Sequence, residues 1–322
     1  MLNYKLKTLS SKPKAKKRKN RIIFIVGPTA VGKTEVALNL AKKINAEIIS
    51  CDSMQLYKGM DIITSKPSLA IRKTIPHHLI DIVSPLRKYN VSKYRQETMR
   101  KIKEILTKDK IPLVVGGTGL YMSILIDGIF KAKSQNKSIR GRLYKQAKKL
   151  GSEFLYKRLQ NVDSEAALKI HPHDTKRIIR ALEVFETTGQ PISKLKKQRK
   201  GLDPDYEIKI FCLNIKRDKL YQRITERVEN MFARGLVKEI KKLLKLKLSK
   251  TAQAAIGIKE LKGYFNGLYD LEEAKRLIKR NTRLYAKRQL TWFRKDKRIK
   301  WIEVGEKEKL QAVARRIWNA LY

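Results

Sequence analysis

The chain has 322 residues, enough for one large domain or two modest ones with a sizeable core. Its 75 Lys and Arg against 30 Asp and Glu leave a net charge of +45, a field that favours polyanions, nucleic acid ahead of an anionic membrane, although a lysine coat on every surface accounts for part of the excess. No apolar run approaches bilayer length, no h-region opens the chain, and Cys51 and Cys212 lie in apolar strand-like runs without CxxC or zinc spacing, so a cytosolic protein with buried free thiols is expected.

Residues 1–20 read as a disordered basic tail, ending Lys12-Pro13-Lys14-Ala15-Lys16-Lys17-Arg18-Lys19; it could hold RNA, act as a presequence or simply be solvated. From Arg21 the pattern is α/β. The run Ile22-Ile23-Phe24-Ile25-Val26 predicts a buried strand. It leads into Gly27-Pro28-Thr29-Ala30-Val31-Gly32-Lys33-Thr34 and then a helix with Val36, Ala37, Leu40, Ala41 and Ile44 inward. Strand, glycine loop, Lys-Thr and helix form the P-loop order. Inward-turned amides and the positive helix N-terminus cradle a phosphate chain. Lys33 then reaches the outer phosphates and Thr34 holds Mg²⁺. A glycine turn that bound nothing would have no use for Lys-Thr, but the loop does not say which phosphate compound it holds.

A second strand, Ala46 to Cys51, ends in Asp52-Ser53-Met54-Gln55. Chemistry gathers at the C-terminal ends of parallel strands, so Asp52 is a candidate base or Mg²⁺ partner, or else a turn cap. His77 and His78, beside Pro76, are read as hydrogen-bonded structural residues. A helix from about Ser92 turns Tyr94, Met99, Ile102, Ile105 and Leu106 inward. The third strand, Ile111-Pro112-Leu113-Val114-Val115, runs into Gly116-Gly117-Thr118-Gly119. A P-loop ATPase places a Mg²⁺-gripping Asp near there. Two glycines and a hydroxyl suit a bound phosphate or a reacting group instead of metal-assisted water attack.

From about Gly128 to Leu202 the strand signal vanishes, which predicts an all-helical insertion with loops at Gly151-Ser152 and His171-Pro172-His173. Its most informative helix starts at Asp174 as N-cap and stops at Gly189 before Pro191. Ile178, Ile179, Leu182 and Phe185 fall on one face, with Lys176, Arg177 and Arg180 opposite. A basic face suits RNA backbone, and equally a solvated helix. Glu207 to Leu213 returns to strand, and a helix from about Asp218 carries Arg223 and Arg227 one turn apart. A last long helix, about 271–293, turns Leu277, Ile278, Leu284 and Tyr285 inward and ends in Trp292 and Phe293, read as core anchors. The expected fold class is α/β: a P-loop core with a mostly parallel sheet flanked by helices, plus the insertion. The expected organisation is tail 1–20, core 21–127, insertion 128–202 for tRNA and a mostly helical core continuation 203–322.

Eight ordered stretches together resemble the tRNA dimethylallyltransferases, also called tRNA isopentenyltransferases: GPTAVGKT (27–34), DSMQLYKGMDIITSKP (52–67), PHHLIDI (76–82), VGGTGLY (115–121), DTKRIIRALEVFETTG (174–189), QRITERVENMFARGLVKEI (222–240), AIGIKEL (255–261) and TRLYAKRQLTWFR (282–294). The resemblance spans about Arg21 to Trp301. It implies transfer of a dimethylallyl group from dimethylallyl diphosphate to the exocyclic amine of the adenine 3′ of the tRNA anticodon. The P-loop with Arg227 then binds the leaving diphosphate, and Mg²⁺ sits on Thr34. By the same resemblance Asp52 takes the amine proton, and Thr118 lies where diphosphate and acceptor meet. Asp52, Ser53, Met54 and Gln55 line the side of an extruded adenine. Arg140 and the Lys176, Arg177, Ile178, Ile179, Arg180 stretch touch the anticodon arm. Ile258 stands where the family often has Tyr, which puts a contact of that side chain in doubt. The missing eukaryotic zinc finger points to a bacterial or organellar type, read here as bacterial and expected to be a cytoplasmic monomer without membrane partners. The rival readings are an isopentenyltransferase for free adenine nucleotides, a nucleoside or other small-molecule kinase, and an RNA-binding module with a vestigial P-loop.

Overall fold

The computed structural model describes residues 20–130, 136–202 and 206–322. The first part of the chain runs β1 (Asn20–Val26), α1 (Lys33–Ile44), β2 (Ala46–Ser50), α2 (Leu69–Thr74), β3 (His77–His78), α3 (Val91–Leu106), β4 (Ile111–Gly116) and α4 (Gly119–Asp127). Four helices follow: α5 (Lys137–Val162), α6 (Ser164–Ala167), α7 (Thr175–Thr188) and α8 (Ile192–Lys197). The chain then returns through β5 (Tyr206–Asn214), α9 (Arg217–Ala233), α10 (Leu236–Leu244), α11 (Ile258–Phe265), α12 (Leu271–Phe293), β6 (Ile299–Glu303) and α13 (Leu310–Asn319).

The six strands form one sheet in the order β3-β2-β4-β1-β5-β6, with every pair parallel. β1 is buried on both faces, which explains its unbroken apolar run. Ile22, Phe24 and Val26 face the core beneath α3, α4 and α9–α12, and Ile23 and Ile25 face the core beneath α1 and α13. Register then decides what meets at the sheet edge. Val26 pairs with both Gly116 and Cys212, and Ser50 pairs with Val115. Gly27, Cys51-Asp52 and Gly117-Thr118 therefore leave the sheet side by side. Close passage needs the glycine: a Cβ on Gly116 would lie 2.1 Å from the Cys51 carbonyl oxygen.

Helices α5–α8 pack around an apolar cluster of their own, centred on Leu143, Leu155, Leu159, Ile178, Ile179 and Leu182. Where the two connecting segments pass each other, Ile129 bridges Lys200 in antiparallel fashion. α7 is capped as its sequence predicts: the Asp174 side chain accepts from the Arg177 amide, and Gly189 closes the helix in the left-handed region. At Gly151 (φ 83°) the expected loop is a kink between two helical halves.

Several expectations need correction. Asn20 belongs to β1, and the tail proper, 1–19, lies outside the described residues. The C-terminal third also supplies an edge strand, β6, whose five residues are too short to stand out by periodicity. On α12, Leu284 is exposed, because the buried stripe runs through Ala274, Ile278, Ala286, Gln289 and Phe293. Six positions beyond Ile278, a side chain points roughly 120° away from that stripe. Phe293 is a core anchor as read, whereas Trp292 lies at the surface over Gly119, its indole N–H donating to Ser123 Oγ (3.4 Å). Among the described residues no helix is long and apolar enough to cross a membrane.

Candidate active site

The P-loop folds as its sequence demands. Gly32 (φ 103°) opens α1 and Ala30 (φ 64°) also takes the left-handed region, so successive amides turn toward the cavity above them. Lys33 lies back over its own loop, its ammonium donating to the carbonyls of Gly27 (3.0 Å) and Pro28 (2.7 Å). Burial and the nearby Arg227 push its pKa down to about 8, with Asp52 pulling the other way. Arg223 donates to the Val31 carbonyl (3.1 Å) and holds the loop's far side. Burial also lowers the Arg227 pKa, and Asp52 opposes that shift.

Asp52 does two things at once. Its Oδ1 accepts the amides of Met54 (2.8 Å) and Gln55 (3.4 Å), the turn-capping role foreseen as its bland alternative. Its side chain also lines the cavity, so capping with one oxygen leaves the carboxylate facing the P-loop. Thr118 accepts the Ser53 amide at its hydroxyl (3.1 Å), and its own amide donates to the Cys51 carbonyl (3.1 Å). Gln55 is fixed between the Ser50 hydroxyl (3.0 Å) and the Thr64 carbonyl (3.4 Å).

The cavity so enclosed measures about 350 Å³. Of the residues singled out from sequence, Thr29, Ala30, Gly32, Lys33, Thr34, Asp52, Gln55 and Arg227 line it. Gly27, Pro28 and Val31 are buried behind the loop. Ser53, Met54 and Thr118 flank the cavity without forming its lining. Thr34 is exposed at the first turn of α1, and its hydroxyl has no hydrogen-bond partner among the described residues. No group of three or more His, Cys, Asp or Glu able to hold a metal occurs among them either. One free hydroxyl beside a phosphate cradle fits an ion that arrives with a diphosphate, since Mg²⁺ takes most of its ligands from phosphate and water.

Among the wall residues that sequence reasoning did not assign to the site, two come from α12. Burial and the Asp52 charge raise the Tyr285 phenol far above its ordinary pKa, so it lines the cavity as a neutral hydroxyl. Gln289 lines it too, although it is only 6% exposed. A polar residue at i+3 from Ala286 and i−4 from Phe293, inside a buried stripe, was the available signal. His77, read as structural, also borders the cavity; its Nδ1 contacts the Ile75 carbonyl (2.7 Å) and burial lowers its pKa. His78 pairs with the buried Glu47 (2.7 Å). Both cysteines are free and buried, their thiols pushed up to about 12 by desolvation, hence inert. Ile258 is buried at the start of α11.

On the insertion, Arg140 (2.6 Å) and Arg180 (2.9 Å) meet on one oxygen of the buried Glu183. Lys176 and Arg177 are exposed. Ile178 and Ile179 are 0% and 1% exposed in the insertion's core. Their assignment to RNA contact is therefore corrected: they belong to the basic stretch in sequence but to its opposite face in space.

A P-loop at the C-terminal end of a parallel sheet, with a carboxylate two strands away and an arginine lining the same cavity, defines a phosphate-handling α/β enzyme. The chain belongs to the IPP transferase family, whose pattern matches residues 55–296; the pattern of a family described as isopentenyl transferase matches residues 20–79. It is 50% identical over 299 residues to the tRNA dimethylallyltransferase of Carboxydothermus hydrogenoformans, covering 92% of this chain and 96% of that one. The tRNA dimethylallyltransferase of Geobacter sulfurreducens is 46% identical over 287 residues, covering 88% and 92%. The crystal structure of the full-length tRNA isopentenylpyrophosphate transferase of Bacillus halodurans superimposes with TM-score 0.67 at 38% identity, over 94% of this chain and 97% of that one. A eukaryotic dimethylallyltransferase acting on tRNA superimposes with TM-score 0.79 at 31% identity, over 94% and 78%.

Proposed function

We propose that the protein transfers the dimethylallyl group of dimethylallyl diphosphate to the N6 amine of the adenine next to the anticodon on its 3′ side in tRNA, releasing diphosphate. The observation that carries this reading is the single cavity in which Lys33 and Arg227 face Asp52. Two cations beside a phosphate loop suit a leaving diphosphate, and a carboxylate across from them suits an attacking amine.

The allylic C–O bond breaks with its electron pair going to the diphosphate, and the C–N bond forms from the adenine amine. Asp52 takes the proton that the amine loses. Lys33, Arg227 and the loop amides stabilise the charge that develops on the diphosphate. Thr34 would hold Mg²⁺, which supplies further neutralisation of that charge when bound. Tyr285 and Gln289 close the wall on the α12 side and keep water from the carbon centre. The insertion meets the anticodon arm through Lys176, Arg177 and the Arg140–Arg180 pair, and the adenine leaves its stack to enter the cavity. On this reading the protein acts on tRNA as a monomer in the cytoplasm.

Incubation with bulk tRNA, Mg²⁺ and dimethylallyl diphosphate, followed by mass spectrometry of the nucleosides, should yield N6-dimethylallyladenosine. Prenylation of AMP in place of an anticodon stem-loop would overturn the tRNA substrate. ATP-dependent phosphorylation of a nucleoside, without use of dimethylallyl diphosphate, would overturn the reaction.

A further inference from the structure

Three loops wall the cavity, and beyond the last strand pairs side chains and single amides hold them in register. The Asp52 loop is tied to the loop after β4 directly: the Thr118 amide donates to the Cys51 carbonyl (3.1 Å), the Ser53 amide donates to the Thr118 hydroxyl (3.1 Å) and the Cys51 thiol donates to the Thr118 carbonyl (3.8 Å). The P-loop is tied to that same loop by one side chain. Gln289 Oε1 accepts the Thr29 amide (2.8 Å), and Gln289 Nε2 donates to the Gly117 carbonyl (2.9 Å). No other side chain among the described residues bonds both loops. The fit is close: a Cβ on Gly117 would lie 2.1 Å from Gln289 Nε2, so only glycine admits the amide there. Gln289 itself is pinned by burial between Ala286 and Phe293 on the inward face of α12.

We propose that Gln289 is a positioning residue for the transfer step, setting the separation between the loop that grips the leaving diphosphate and the loop that carries the base. This rests on the prenyl-transfer reading above. Both ends of its amide are occupied by backbone, so it acts through the two loops. A displacement at carbon needs nucleophile and leaving group in line, and a misplacement of ~1 Å can cost on the order of a hundredfold in rate. Thr29 and Gly117 are the points at which such a shift would enter. Loosening them should leave each half-site able to bind its own ligand.

Gln289→Met keeps the length and removes both hydrogen bonds. Its kcat for transfer to an anticodon stem-loop should fall on the order of ten- to a hundredfold. The RNA KM, and the dissociation constant for inorganic pyrophosphate measured by calorimetry, should change by less than about threefold. Gln289→Asn keeps the amide on a shorter stem and should fall between Met and wild type. Phe293→Leu is the packing control on the same helix: it should lower Tm and leave kcat within about threefold of wild type. A Gln289→Met kcat equal to that of Phe293→Leu overturns the inference, as does a parallel loss of pyrophosphate binding. Failure of both Gln289 variants to fold would make the residue structural and overturns it too. A wild type that transfers no prenyl group overturns the functional reading itself, whereas a competent wild type with an unaffected Gln289→Met overturns this inference alone.

Discussion

The sheet core and the helical insertion hold their cations under opposite terms. In the core, Lys33 and Arg227 come from opposite halves of the chain and share one cavity, and among the described residues neither forms a salt bridge. Burial lowers the pKa of both, and the Arg227 charge lowers that of Lys33 further. The negative charge of a diphosphate would offset that burial for both cations. In the insertion, Arg140 and Arg180 share Glu183, and Arg142 and Arg158 share Glu186. Two guanidiniums on one carboxylate are held in a fixed geometry, and each such cluster keeps one net positive charge. The core is built to be completed by its ligand, and the insertion is complete without one.

The sharpest break of that comparison comes at Asp52, because it separates the core's chemistry from its folding. Asp52→Ala and Asp52→Asn should both lower kcat by roughly 10²–10⁴, the range for losing a general base, with pyrophosphate binding largely kept. Asn preserves the oxygen that caps the Met54 and Gln55 amides. If Asn restores turnover, the cap is the whole role of Asp52. Arg227→Ala should act on the other half of the cavity, weakening pyrophosphate binding about ten- to a hundredfold, as expected for a charged hydrogen-bonding partner. Calorimetry without RNA measures that directly, and an unchanged affinity would remove Arg227 from the phosphate grip.

In the insertion the same kind of loss should appear only in salt dependence. Neutralising Lys176, Arg177 and Arg180 together should reduce the slope of log K against log salt for tRNA by roughly two to three. The kcat at saturating RNA should hold, and an unchanged slope means that α7 faces solvent. The smallest effect is that of pH. Lys33 has a folded-state pKa of about 8, below its ordinary value of 10.5, so it loses its proton as pH rises through about 8. Pyrophosphate affinity should therefore fall by a few-fold between pH 7.5 and 9, and more steeply in wild type than in Lys33→Arg, which stays charged. In the ligand-free protein the sign is reversed: the unfolded chain binds more protons between about pH 8 and 10.5, so stability rises with pH across that window. Parallel affinity curves for wild type and Lys33→Arg would show that Lys33 is not the titrating group.

Much of the core was legible because its signals are local. An apolar run marks a strand buried on both faces, Gly and Lys-Thr mark the phosphate loop, and Asp174 with Gly189 brackets α7 within the reach of its own hydrogen bonds. The errors arise where local pattern and spatial face diverge. Leu284 looks like core but points outward, whereas Ile178 and Ile179 point inward as their periodicity indicates, and only the resemblance had set them among the RNA contacts. Tyr285 was read only as an inward residue and Gln289 not at all, because α12 reads as amphipathic with or without a polar wall.

The amino-acid order alone determined the strand–loop–helix of the P-loop, the carboxylate at the next strand end, and the helical character and positive charge of the insertion. These follow from backbone chemistry and side-chain periodicity over a few residues. Tertiary structure alone decided that Tyr285 joins Arg227 and Lys33 in one cavity wall, that Arg140 and Arg180 share a carboxylate, and that Gln289 spans Thr29 and Gly117. Each of those joins groups far apart in the chain. Their meeting depends on parallel register and on which way a helix turns when it packs, and no short window of sequence contains that information.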